Sequence, residues 1–287
     1  MNKHTSLSLI AVLTLANVEC HAAQTFGLCR ASAERSATIS AAGATNIVIT
    51  VGAGDLIIRG DEAAQEVVAN GQACAFNGKY LEQMQITARR EGNTIYLNTA
   101  LPESESGFPW FNTASMDLTV ILPASLPIEL QDTAGDIDAS HVRSMKIDDG
   151  AGDMEITDIG GDVVVSDTSG DIEIERVAGR VEIVSDTSGD MAIADVRRDV
   201  DVAIDSSGDI QIERIAGNVH IRQDSSGDIV IRGVKKDAVI DSDSSGDIRV
   251  VLVDGDFIVH GDSTGEITHD RIEGKVKIPA DRDRAQN

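Results

Sequence analysis

Aromatic residues are scarce in this 287-residue chain: one Trp, two Tyr and five Phe. A core of ordinary size must then be filled by aliphatic side chains. Proline is also rare, at five residues, so long stretches can pair their backbone N–H groups without interruption. Basic residues number 24 against 48 acidic ones, a formal charge of −24. That deficit disfavours nucleic acid as a partner, because phosphate binding needs a basic face. Cations and basic surfaces are favoured instead, although an acidic surface can also serve solubility alone. Beyond the first 20 residues, no apolar run is long enough to span a bilayer as a helix.

What is present starts at the N-terminus. Lys3 and His4 precede an apolar run from Leu7 to Val18, then Cys20-His21-Ala22-Ala23. A charged start, a short apolar stretch and a small-x-small site form the pattern of a secretory signal. It places residues 1–22 in a signal peptide cut after Ala22. Glu19, directly before Cys20, argues against a lipoprotein signal. The mature chain is then exported, to the periplasm or to the cell surface and beyond, with no transmembrane segment. Removing the signal leaves two cysteines, Cys29 and Cys74. In an oxidising compartment an even pair favours a disulfide, with two separate thiols as the alternative.

The stretch SDTSGD occupies 166–171 and again 185–190. Aligned on its glycine, Gly135, Gly152, Gly170, Gly189, Gly208, Gly227, Gly246 and Gly265 fall at steps of 17, 18 and then 19 five times. Self-similarity at a short fixed period indicates a stacked array. Within the unit from Gly170 to Ser188, Ile172 and Ile174 alternate, Val177 marks a bend, and Val181 and Ile183 alternate again. Two period-two strands per unit are expected. A meander would reverse alternate strands, whereas identical residues at identical phase stack each residue on its own copy. The expected fold is therefore all-β: a parallel β-solenoid of about eight coils of 17–19 residues over 131–278.

Both ends of such an array need closing. In the last coil Glu266 replaces the corner aspartate, His269 enters the Ile174 column, and Pro279 opens a polar tail, 279–287. Residues 23–130 are expected to form an N-terminal β cap region or wider early coils. Their strands are read at 46–51, 55–59, 84–89, 93–98 and 116–122, and Gly54-Asp55-Leu56 matches the corner once.

The stretch VILPASLPIELQDTAGDID (120–138), leading into repeated SGDI, resembles a bacterial putative-adhesin family built from β-strand repeats, and the related head domains of autotransporter adhesins. The resemblance covers roughly residues 38–278. It implies a β-solenoid outside the cytoplasm with binding or structural duty, and it brings no catalytic residues with it.

The corner aspartates are the first candidates for function. Asp167, Asp186, Asp205, Asp224 and Asp243 stand three residues before the glycine; Asp171, Asp190, Asp209, Asp228 and Asp247 stand one after it. Structurally, an aspartate opening a turn accepts a backbone N–H two residues on, and glycine supplies the positive φ. On this reading the Asp167-type carboxylates are held charged by corner N–H groups, and the small residue between, such as Ser169, packs inward. Functionally, the two columns form a candidate Ca²⁺ ladder of hard oxygen ligands. The acids also suggest a carbohydrate-active enzyme, a polysaccharide lyase or hydrolase on a β-helix. That chemistry needs one place where unlike surroundings drive two carboxyls apart, and here they repeat evenly. His141, His220, His260 and His269 fall at four different phases, which gives a zinc site no support. Phe108, Trp110 and Phe111 end a polar loop and are candidates for binding a partner or plugging the solenoid. The reading is an exported, non-catalytic, adhesin-like binding or envelope-associated module, with an envelope or cell-surface protein or polysaccharide as partner.

Overall fold

The structure, a computed structural model, describes residues 29–102 and 114–280. The signal segment 1–22 and the loop carrying Phe108, Trp110 and Phe111 lie outside the described residues. Among the described residues every regular element apart from one six-residue helix is a strand, and these strands make two 12-stranded sheets. Among the described residues no helix is long and apolar enough to cross a membrane.

From Pro127 onward each coil contributes one strand to each sheet, and each strand pairs in parallel with its copy one coil earlier. Ile172–Val177 and Val181–Ser185 are the two strands of the unit read from the sequence. Register is kept residue for residue: Ile172 faces Met191, Ile174 faces Ile193 and Val177 faces Val196. Inward positions thus form continuous aliphatic columns, nearly all under 3 % exposed. One β-branched residue stacked on another suits the pleat and excludes water, which explains how the core manages with few rings. Where a ring does enter, at Phe257, the residue beneath it is Ala238, and Phe257 is fully buried.

The change in step from 18 to 19 has a local cause. Val165 pairs with Ile183 but Ser166 pairs with Ser185, so Val184 is an extra residue, 40 % exposed. Such a bulge adds one residue and leaves the flanking inward positions in place. Ile204, 44 % exposed, is turned outward at the same part of the following coil.

The N-terminal part is both coil and cap. Strands β1 (Ala31–Ser40), β2 (Asn46–Thr50), β3 (Leu56–Asp61) and β4 (Glu66–Ala75) are followed by α1 (Gly78–Gln83), β5 (Gln85–Glu91), β6 (Thr94–Ala100) and β7 (Ala114–Pro123). The pair β2 and β3 makes a coil with Gly54 at its corner, φ +127°. That coil is sandwiched out of chain order. The later strands β6 and β7 lie on one side of it, and β8 (Pro127–Gln131) and β9 (Ile137–Ser140) lie on the other. Beyond them the pairing turns antiparallel, β7 to β4 to β1 in one sheet and β6 to β5 in the other. Strand β1 is polar and buries no residue, a suitable edge for a sheet that must not recruit further strands. Its Arg35 donates to the carbonyls of Leu81 and Met84 at the end of α1, at 2.7 Å each. The cation thereby adds to the bond that Leu81 already accepts from the N–H of Met84 and holds the C-terminal end of the helix against β1.

Cys29 and Cys74 form a disulfide with 5.4 Å between their Cα atoms, tying the start of β1 to β4. Removing this bond is expected to cost about 2–5 kcal/mol, since it closes a loop across the cap. Intact-mass analysis after alkylation without reductant would refute the bond by showing two modified thiols.

At the far end Val250 pairs with His269, which puts an imidazole at the head of an isoleucine column. Its ring lies 6.1 Å from that of Phe257, tilted across it. A half-exposed polar ring over the last buried aromatic closes the core without presenting a further apolar layer.

Candidate functional site

Stacking puts the two aspartates of each corner into different environments. Asp171, Asp190, Asp209, Asp228 and Asp247 are exposed, and each uses one carboxylate oxygen to accept the backbone N–H of its own copy in the next coil. The ladder runs unbroken from Asp117 through Asp55, Asp136 and Asp153 to the N–H of Glu266, at 2.8–3.3 Å per rung. Like charges can therefore return at every turn. Each carboxylate is held by an N–H one coil away, while its second oxygen remains in high-dielectric water.

The other column is where the structure corrects the sequence reading. Asp167, Asp186, Asp205, Asp224 and Asp243 point inward and are 0–3 % exposed, with Asp149 and Asp132 continuing the column at 4 % and 8 %. Asp186, Asp224 and Asp243 do accept the expected N–H two residues on, from Ser188, Ser226 and Ser245, at 3.1–3.2 Å. Those bonds favour the charged form, yet burial outweighs them. It pushes Asp132, Asp167, Asp186 and Asp205 up to about 6, and Asp224 and Asp243 up to about 7. Repulsion from the adjoining carboxylates adds to the rise, so these groups are not held charged by the corner.

The small residue between the aspartates also differs from expectation. Ser188, Ser207, Ser226 and Ser245 are half-buried rather than packed inward. Each hydroxyl donates to a corner carbonyl of the preceding coil, at 3.0–3.5 Å.

Two further columns went unread in the sequence. At the bend between strands, His141, Asp158, Arg176, Asp195, Arg214, Leu252 and Arg271 all take φ between 53° and 65°. Charge alternates along the four from Asp158 to Arg214. Arg176 donates to Asp158 at 2.8 Å, and Arg214 to Asp195 at 2.9 Å. Those guanidiniums hold Asp158 and Asp195 below the usual carboxylate range. Their signal in the sequence is a pair of unlike charges 18 or 19 residues apart, which a repeat of identical residues does not display. The next turn carries a second side-chain ladder. Asp162 accepts from the N–H of Arg180, Asp199 from Asn218, Asn218 from Asp237, and Asp237 from Asp256, at 2.7–3.3 Å.

The histidines are not all separate. Asp241 accepts from His220 at 2.8 Å on one oxygen and lies 3.0 Å from His260 on the other. His260, 19 residues on, lies directly over Asp241, whereas His220, 21 residues back, reaches it diagonally, so comparing the phases of the histidines alone does not reveal the group. Partial burial alone would raise the Asp241 carboxyl, but the bonds from His260 and His220 outweigh it and place it below its ordinary value. Among the described residues no group of three or more His, Cys, Asp or Glu side chains is arranged around one point to hold a metal ion. The ten aspartates of the candidate Ca²⁺ ladder are thus split between an interior and an exterior column.

Residues 44–281 match the family model Toastrack DUF4097. The chain belongs to the Toastrack DUF4097 family. The match takes in the out-of-order early coils as well as the regular array, in keeping with the likeness read from residues 120–138. No curated protein matches this Toastrack chain. Among solved structures it is similar to a "putative lipid binding protein" from Parabacteroides distasonis, with 18% identity, a TM-score of 0.43, and coverage of 86% of this chain and 94% of that one. It is also similar to a "putative adhesin" from Parabacteroides merdae, with 12% identity, a TM-score of 0.39, and coverage of 86% and 96%. A "putative cell adhesion protein" from Clostridium sporogenes gives 11% identity, a TM-score of 0.32, and coverage of 87% and 100%.

Proposed function

We propose that this Toastrack protein is an exported, non-catalytic rod that works as an adhesin-like binding or envelope-associated structural module. The observation that carries the reading is the evenness of the surface. The exposed carboxylates repeat in one environment from coil to coil, each making the same bond to the next. Acid–base catalysis on a sugar needs two unlike carboxyls at one open place. The carboxyls raised toward neutrality lie instead inside the rod, out of a substrate's reach. An open depression of about 680 Å³ on the first sheet has Asp228, Asp247 and Glu266, three rungs of the same ladder, along one border, and Arg232, Arg249 and Arg271 also line it. A regular acidic edge suits a partner that is itself repetitive or cationic, such as an envelope polysaccharide or a basic protein surface. The test is cell fractionation followed by pull-down from envelope extracts. Retention in the cytoplasm, or release of sugar fragments from envelope polysaccharide by the purified chain, would overturn the reading.

Ca²⁺ belongs to the same proposal. The exposed ladder leaves one oxygen of each rung facing solvent, so cations should gather along it and relieve repulsion without a dedicated cage. Melting in EDTA, in millimolar Ca²⁺ and in NaCl of matched ionic strength separates the possibilities. Equal gains in both salts mean screening, and a gain confined to Ca²⁺ means coordination. No change in either salt would remove the ladder's repulsion from the account.

A further inference from the structure

The inward column contains more acid than its surroundings can accommodate as anions. Both oxygens of Asp149, Asp167 and Asp205, and one oxygen each of Asp132, Asp186, Asp224 and Asp243, are shut off from solvent without a well-aligned hydrogen bond, although the corner N–H groups of Gly150, Thr168 and Ser206 lie near enough to favour the charged form. Leaving such atoms as bare carboxylates costs several kcal/mol per group. Among the described residues no Lys, Arg or His side chain acts on these aspartates. The titratable groups that face the column from adjoining corners and strands are themselves acids: Asp55 toward Asp132, Asp148 toward Asp149, Asp153 toward Asp167 and Asp171 toward Asp186. Further donors close to these oxygens are the stacked carboxyls themselves, once protonated. Asp186, Asp205, Asp224, Asp243 and Asp262 are bridged in parallel, each directly over the next, so successive side chains stack head to head.

We propose that the inward aspartates form a chain of hydrogen-bonded carboxyls that stores protons at neutral pH, each protonated acid donating its O–H to the carboxyl of an adjoining coil. A shared proton removes one charge from each pair and satisfies one buried oxygen on the neighbour. Asp205 and Asp224 illustrate it: they are bridged in parallel on successive coils, both are buried, and a proton shared between them would relieve the repulsion that Asp205 exerts on Asp224. The bound species is the proton, and the rod is in effect a one-dimensional acid reservoir sealed beneath its own surface.

The test is a carboxyl-carbon NMR titration of the whole chain labelled at aspartate, from about pH 4 to pH 9. A set of signals with midpoints near pH 6 to 7 is expected, well above the ordinary aspartate value of about 3.9. Asp205→Asn should shift the Asp186 and Asp224 signals and leave those of the exposed Asp171 type in place. The proposal fails if every aspartate is ionised by about pH 5 in the wild type, a result that needs no variant. It also fails if Asp205→Asn, or Asp186→Asn where the first does not fold, moves exposed and buried signals alike.

Discussion

Gly227→Ala is expected to abolish folding of the array or to destabilise it by more than about 4 kcal/mol. At this corner φ is +138°, and a Cβ would lie 1.8 Å from the carbonyl oxygen of Gly208 in the coil below. Two penalties combine. A side chain at that φ is strained by about 1–3 kcal/mol, and the contact itself cannot be relieved by a rotamer because both partners are backbone. The coils would have to part, which would break the bond from the N–H of Asp228 to the Asp209 carboxylate and the bond from the N–H of Gly208 to the carbonyl of Ser226. The contrasting variant is Gly233→Asp. Gly233 has φ +76°, and the nearest atom to its Cβ would be 3.6 Å away. Asp195 and Arg214 take a similar φ at the equivalent place, and an aspartate there would continue the alternating charge past Arg214. It should be neutral within about 0.5 kcal/mol. Thermal melting by circular dichroism compares the two. A Gly227→Ala protein that melts with the wild type would refute the close-approach account.

The array could be read from the sequence because its constraint is repetition. A corner glycine every 19 residues and β-branched residues at fixed phase leave few other folds, and strands such as Ile172–Val177 fall where the alternation places them. The early coils were only half legible. Gly54-Asp55-Leu56 announced a corner, but nothing local states that β6 and β7 will pass outside β2 and β3, because that order is set by which edges remain open once the chain has folded back. Helix α1 is too short to have a periodic signal. At the site, residue identity was legible and environment was not. Asp167 and Asp171 are the same side chain four positions apart, and only the inward turn of the first, two residues beyond buried Val165, separates a desolvated acid from a solvated one. In the 19-residue coils the bulge at Val184 disguises that spacing. The mixed columns, Arg176 on Asp158 and His220 beside Asp241, were hidden because they pair unlike residues.

Acidification from about pH 8 to about pH 5.5 is expected to stabilise this protein, by about 3 kcal/mol or more. A carboxyl whose folded pKa lies above its unfolded value binds its proton more tightly when folded. Between those two values the folded state carries the extra proton, so lowering the pH favours folding. Each such proton contributes about 1.4 kcal/mol per pH unit within that window. Asp132, Asp167, Asp186 and Asp205, at about 6, and Asp224 and Asp243, at about 7, all lie on this side. The gain starts as the pH falls through the values of Asp224 and Asp243. It levels off below about pH 4, where the unfolded chain takes up the same protons. Asp158, Asp195 and Asp199, held low by Arg176, by Arg214 and by the N–H of Asn218, work the other way. Their contribution is present above the unfolded value and is lost only as the pH falls through their own lower values, so it does not cancel the gain in the upper window. Asp224→Asn isolates the cause. The amide oxygen can keep the N–H bond from Ser226, and the side chain no longer has to be neutralised. The variant should therefore melt above the wild type at pH 8 and show a shallower dependence on pH. Asp224→Ala leaves that N–H without its acceptor and should cost about 1–2 kcal/mol relative to asparagine. The measurement is the melting temperature of the three proteins at half-unit steps of pH. A wild-type curve that is flat or falls on acidification over this window would mean that the buried column is ionised, and the desolvation argument would then be wrong.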